Sequence, residues 1–453
     1  MFDLSFRIAD RFRPFELVAP GFVQVDEPAP AGLSGRVRTD QAPAAPFAAV
    51  ELEVQELSGA GVAVGLSTAD DEHVLVGYDP GRGRVTIEVR SAGRTRVVKR
   101  RKLDLVAPLR LGFVLCENQV TGVADSGHGW QPLLTMRDRV AQLVDLRDPA
   151  TLARYAFSYG PRREGDPVHL GRVRAGAFGY TGLRDPHLVQ HPDGRAYVKD
   201  GRAYLTFTCA GMGFFQQAHW GVFTLDLADP TSVRQVAQLY TARNGLVLGD
   251  HAGQLVIDED SGRSLVGVSS WGDFDFNGVH VRHLTTSEDL LSGVHLMATE
   301  ELELPTPVSS WDPSFTRVDD RWHVAFVESP SQDPFDFHPA LAVGAPGGDY
   351  DKGLKRVGSD DTVHECEGPI IQQLEGTWYL LASNKDSREY PVYDLGMRRL
   401  GTLDAPYLTN IPHPQIVDLP GGGQLMVTFD GKPYGQRVLG YGTHGDVVVM
   451  RPS

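Results

Sequence analysis

Cysteine is scarce in this chain: Cys116, Cys209 and Cys366 are the only three in 453 residues, far apart and without a CxxC pair. A disulfide framework and a structural zinc site are therefore not expected. A cationic surplus is also missing, because 43 Lys+Arg face 58 Asp+Glu, for a formal net charge of −15. Such a chain does not gather a polyanion, so nucleic acid is not an expected partner. The one basic run, Lys99-Arg100-Arg101-Lys102, reads as a solvated strand end. No stretch approaches the roughly 18 apolar residues of a membrane helix, and no membrane partner is expected. The start, Met1-Phe2-Asp3-Leu4-Ser5-Phe6-Arg7, has an early acid and no apolar core of a signal peptide, so the expectation is a cytoplasmic protein.

What is abundant is turn material. Fifty Gly and 30 Pro beside an apolar fraction of 41% indicate a folded, all-β chain and not a disordered one. Up to about residue 170, segments 48–54, 61–66, 73–78, 84–89 and 109–115 alternate or run apolar between turn clusters such as Asp79-Pro80-Gly81-Arg82-Gly83. Strands so spaced, without intervening helices, predict an antiparallel β-sandwich; the pattern resembles concanavalin-type and laminin-G-like sandwiches. The polar segment 160–167 marks the expected boundary, giving a sandwich at 1–170 and a second domain at 171–453. Asp148-Pro149 in the first block reads as the cap of a helix start.

The second block repeats one phrase: a polar residue, often before Pro, then a short strand, a turn and an aromatic-rich strand. Its anchors are Asp185, His251, Asp312, Glu367 and His413, roughly 45 to 65 residues apart, the spacing of four-stranded propeller blades. Five phrases predict a five-bladed β-propeller whose first strands converge on one axis. Asp185-Pro186, Asp312-Pro313 and Glu367-Gly368-Pro369 would then share a funnel. Glycoside hydrolysis needs an acid for the leaving oxygen and a carboxylate as base or nucleophile, and a third acid can hold the donor's proton by like charge.

Arg184-Asp185-Pro186, Trp311-Asp312-Pro313-Ser314-Phe315 and Glu367-Gly368-Pro369, in that order, resemble glycoside hydrolase family 43. That family sits in a wider group of five-bladed propeller glycosidases that includes families 32, 62, 68, 117 and 130. The resemblance implies an inverting enzyme acting on α-L-arabinofuranosides or β-xylosides, with Asp185 as general base, Asp312 as pKa modulator and Glu367 as general acid. It implies no required cofactor. His413 matches a histidine near the axis that in relatives often lies beside a bound calcium, so a structural calcium with His413 as ligand is part of the expectation.

The chain departs from the family where relatives carry Trp-Ala-Pro-Asp, having Leu248-Gly249-Asp250-His251-Ala252 instead. Glu365-Cys366 resembles the acid motif of families 32 and 68, which would make the protein a retaining fructosidase or transglycosidase; the Asn-Asp-Pro nucleophile of those families is missing upstream. Glu367, beside Gly-Pro, is preferred over Glu365. A non-catalytic carbohydrate-binding propeller is the other alternative. An oligosaccharide or glycoside is the expected partner, with Arg184, Phe215, Trp220, Asp250, His251, Trp271, Trp311 and His413 as candidate contacts. Aromatic rings bind apolar sugar faces while polar neighbours satisfy hydroxyls. The loop-like stretches 271–277 and 333–338 mix aromatics with acids, as a pocket rim would. Asp273, Asp275 and Asn277 alternate oxygens in a calcium-like way but lack the glycine and terminal Glu of an EF-hand loop.

Overall fold

The computed structural model describes residues 4–165, 167–276, 278–431 and 445–453. Asp166, inside the expected boundary, and Asn277, inside the acidic loop, lie outside the described residues. The chain is all-β; among the described residues no helix is long and apolar enough to cross a membrane. The helix Pro149–Leu152 begins as expected, with the Asp148 carboxylate accepting the Thr151 N–H at 2.7 Å.

The first block folds into two six-stranded antiparallel sheets. One runs Gln131–Met136, Gln119–Asp125, Leu109–Cys116, Phe47–Glu56, His169–Tyr180, Glu16–Pro28. The other runs Val37–Arg38, Ala156–Pro161, Val62–Ser67, His73–Asp79, Arg84–Ser91, Arg94–Lys102. Alternation places Val50, Leu52, Leu111 and Phe113 of one sheet against Val64, Leu66, Val76 and Ile87 of the other in a single core.

Five further sheets follow among the described residues, antiparallel but for the parallel pair Val233–Arg243 with Gly293–Ala298, each opened by a strand toward a common centre: β1 Leu183–Leu188, β2 His251–Asp258, β3 Ser309–Val318, β4 Cys366–Leu374 and β5 Gln415–Asp418. Polar groups link neighbours around a closed ring. Gln190 N–H, just past β1, donates to Leu255 O of β2, and Phe315 N–H of β3 to Gln254 Oε1 of β2. Ile371 N–H of β4 donates to Ser314 Oγ of β3, Ile416 N–H of β5 to Gln372 Oε1 of β4, and Leu188 N–H of β1 to Gln415 Oε1 of β5.

Two features correct the expected division. The strand His169–Tyr180 pairs with Glu16–Pro28 and Phe47–Glu56, so the first block extends to Tyr180. Phe6–Phe12 leaves that block altogether and pairs with Asp446–Pro452 as the outer strand of the fifth sheet. Arg11 and Arg13 lock this closure on the buried Asp446, and Arg11 also reaches Asp430. The two blocks touch through an apolar cluster joining Phe47, Val114 and Cys116 to Met212, Tyr240 and Val247.

Candidate active site

Four of the inner strands break their ladder at the same point. The register shifts between Arg184 and His187, His251 and Gln254, Trp311 and Ser314, and Glu367 and Ile370. At each break one residue has positive φ: Asp185 (47°), Ala252 (53°), Asp312 (49°) and Gly368 (64°). Such a bulge re-aims the adjacent side chains toward the centre of the ring. The alignment also corrects the expected anchors. Glu367 and His251 occupy the position of Arg184 and Trp311, one residue before that of Asp185 and Asp312. Glycine takes the left-handed site in β4 because the His413 ring packs onto it, and a Cβ there would meet His413 Cδ2 at 2.3 Å.

These residues surround a cavity of about 370 Å³ lined by Arg184, Asp185, His251, Asp312, Glu367 and an aromatic group. Asp312, Glu367 and His413 each bring a polar atom within 4.8 Å of the others. His413 Nε2 stands 3.6 Å from Asp312 Oδ2 and 4.0 Å from Asp185 Oδ1, and Arg184 Nε is 3.7 Å from Asp185 Oδ1. The Gly368 N–H donates to Asp312 Oδ2 at 3.1 Å, and Trp311 Nε1–H donates to Glu367 Oε2 at 3.1 Å. Ser269 Oγ accepts the Asp312 N–H at 2.9 Å, and Thr208 Oγ1 accepts the Ala252 N–H at 3.1 Å.

The acids differ in their protons. Burial pushes Glu367 up to about 7, helped by the negative charge of Asp185. Asp312 is raised well above the usual carboxylate range by burial and by the charges of Glu367 and Asp185. Asp185 goes the other way: burial opposes its charge, but Arg184 leads a set of favourable groups, including a hydrogen bond from Thr208, that holds it below the usual value. Burial lowers His413 to about 4, so it is neutral at pH 7 and Arg184 is the cation facing Asp185.

Of the candidate contacts, Arg184, Phe215, His251, Trp271 and Trp311 line the cavity. His413 does not line it but, with Gly368, borders a small adjoining space that shares Asp185 and Asp312 with the cavity. Trp220 and Asp250 do not line it. Trp220 is fully buried in an apolar core under the Gly253 backbone, and Asp250 is fully buried in an ion pair with Arg243. Arg243 also binds Asp273 at 2.6 Å, and the Gly272 N–H donates to Asp250 Oδ1 at 2.9 Å, so the pair fastens the turn that follows Trp271. Arg243→Met is expected to strand the Asp250 charge and destabilise the fold by about 3–5 kcal/mol; an unchanged denaturant midpoint would sink this assignment.

The expected rim stretch 333–338 supplies Phe335 and Phe337, whereas no sequence signal pointed to Asn410 and Ile411, which also line the cavity. They come from the irregular segment before β5, where no periodic pattern marks an inward side chain. Glu365 is at the rim, ion-paired with Lys385, whereas Glu367 lies deeper against Trp311. A wider groove of about 800 Å³, by His283, Trp322 and Tyr350, holds none of the central acids.

Compared by sequence, the chain matches no protein-family model and no curated protein. Compared by structure, it is similar to a family 117 glycoside hydrolase of Zobellia galactanivorans (TM-score 0.41, 10% identity, 60% of this chain and 84% of that one). It is also similar to an α-L-arabinofuranosidase from Lactobacillus brevis (0.42, 12%, 60% and 91%) and to Bacillus subtilis levansucrase (0.44, 10%, 60% and 84%).

Proposed function

We propose that the protein is a glycoside hydrolase in which an N-terminal β-sandwich precedes a five-bladed β-propeller, and in which Asp185, Asp312 and Glu367 at the propeller centre cleave a glycosidic bond. The observation that carries this reading is the opposite displacement of two acids in one cavity, Glu367 upward to about 7 and Asp185 downward. Environments that separate two carboxyl groups in this way assign an acid and a base. Glu367 keeps a proton for the leaving oxygen, and Asp185, ionised beside Arg184, takes one from the attacking water. Asp312 is too close to Glu367 for both to ionise freely, so it modulates the shared proton; through the Gly368 N–H it also fixes the backbone next to Glu367.

Inversion, and arabinofuranosides or β-xylosides as substrates, follow from the motif resemblance and are part of the proposal. The calcium expected at His413 does not fit as well. The converging side-chain donors there are Asp312, Glu367 and His413, whereas calcium takes about six to eight oxygen ligands. A cation on those acids would also compete for the proton that Glu367 must donate.

The reading is tested by hydrolysis of a panel of aryl glycosides: α-L-arabinofuranoside, β-xyloside, β-galactofuranoside and β-fructofuranoside. Turnover of one, with the inverted anomer formed first in proton NMR, is the expected result. A retained anomer would overturn the inverting mechanism, and no turnover of any by folded protein would overturn the hydrolase. The rate should depend on pH with a definite sign. Activity needs protonated Glu367, so kcat/KM should fall by about tenfold per pH unit above the Glu367 value, which lies at about 7. A profile flat to pH 9 would remove Glu367 as the proton donor.

A further inference from the structure

The rings lining the cavity form one connected wall. Phe214 and Phe215 have centroids 4.1 Å apart, Phe215 stacks on Trp271 at 4.6 Å, and Trp271 meets Trp311 at 5.3 Å. Trp311 meets Phe337 at 5.2 Å, and Phe337 meets Phe335 at 6.1 Å. One end of the wall faces solvent: Phe214 is 48% exposed, and Phe276, in ring contact with Phe335, is 54% exposed. The other end is Trp311, bonded to Glu367. The path from solvent to the proton donor is thus paved with rings.

The chemistry of that path is one-sided. Four of its six lining rings are phenylalanine, which has no hydrogen-bonding group, and the Trp311 N–H is already committed to Glu367. Among the described lining residues the polar side-chain groups are Arg184, Asp185, His251, Asp312 and Glu367 at the centre, then the Trp271 indole N–H, Asn410 and the Glu365–Lys385 ion pair. A sugar held over the acids finds partners for its hydroxyls. A second sugar stacked on the wall would lay its C–H face on the rings, but away from the acids the hydroxyls around its edge would find few polar partners, and each one left without a partner costs free energy.

We propose that the leaving group accommodated by this wall is an apolar aryl or arylalkyl aglycone and not a second sugar. The inference rests on the glycosidase reading and adds the class of substrate. In the reaction the anomeric C–O bond breaks with its electrons on the aglycone oxygen, which takes the Glu367 proton. Water, losing a proton to Asp185, forms the new C–O bond, and the products are the free sugar and an apolar alcohol or phenol.

Two measurements separate this inference from the reading beneath it. The first is binding of 2-naphthol alone, followed by tryptophan fluorescence and equilibrium dialysis, to wild type, Phe214→Ser and Phe335→Ser. Naphthol should bind, and each loss of a ring should weaken it by about tenfold; Phe214 is exposed enough for its variant to fold normally. The second uses whichever sugar the panel identifies and compares its 2-phenylethyl glycoside, its methyl glycoside and a disaccharide of the same sugar. The phenylethyl and methyl leaving alcohols have similar acidity, so the comparison reads the wall, and the phenylethyl glycoside should lead in kcat/KM by about tenfold or more. No naphthol binding, binding indifferent to both substitutions, or a preferred disaccharide would each overturn the inference while leaving the hydrolase intact. Naphthol binding on the wall without turnover of any glycoside would overturn the hydrolase, and the aglycone assignment with it.

Discussion

Glu367→Gln is expected to fold normally and to hydrolyse its best aryl glycoside about a thousandfold more slowly than wild type, the usual contribution of a positioned proton donor. Glutamine keeps the shape of the side chain and an oxygen that can accept the Trp311 N–H, so what disappears is the proton. The loss should shrink on a dinitrophenyl glycoside, whose leaving group departs without protonation. The same substitution should change stability in a direction opposite to activity. The native state holds the Glu367 proton to about 7, whereas an unfolded glutamate releases it near its ordinary value. Between those limits the folded chain binds more protons, and the stability from this group declines as pH rises. A glutamine has nothing to ionise, so the variant should gain on wild type in thermal midpoint between pH 5 and pH 8. Retained activity would move the donor to Glu365; a midpoint difference independent of pH would show that Glu367 is not held protonated.

Asp185→Asn should cost about a thousandfold or more, since the base is lost while the binding groups stay. Asparagine is the right probe because residue 185 has φ of 47°, a left-handed conformation that Asn tolerates and Ala resists. A second consequence follows from the charge removed. Asp185 is, after burial, the leading cause of the raised Glu367 proton affinity, so the alkaline limb of the residual activity should move to lower pH. An unmoved limb would mean that the two carboxyl groups do not sense each other. Unimpaired turnover would remove Asp185 from the mechanism.

Much of this site is legible in the unfolded chain, because local chemistry marks it. Asp-Pro and Glu-Gly-Pro sit at bulges that need restricted or permissive backbone, and the alternating strands 48–54 and 109–115 appear within a residue or two of Phe47–Glu56 and Leu109–Cys116. The misses share a physical cause. Glu367 and Asp185 look like equivalent anchors in sequence, but which side chain points inward depends on the bulge, and a shift of one residue changes it. Asp250 and Trp220 are residue types that suit a sugar site, yet Arg243 and the Gly253 backbone take them up. Phe6–Phe12 alternates like any strand, and nothing local shows that its partner is Asp446–Pro452, beyond all the other strands.

That last pairing also has a bearing on how the protein is made. Phe6–Phe12 leaves the ribosome ahead of the other described strands, and the strand that completes its hydrogen bonding emerges after all of them. Until then the nascent chain carries an unsatisfied edge, with Arg11 and Arg13 lacking their buried acid Asp446. An open edge is a template for pairing with another chain, and long-range pairing of this kind is slow and exposed to aggregation. The two six-stranded sheets can assemble while translation continues, but the ring can be sealed only once Asp446–Pro452 is free of the exit tunnel. Crowded polysomes, where neighbouring nascent chains offer the same waiting edge, are therefore the setting in which this protein is most open to misassembly.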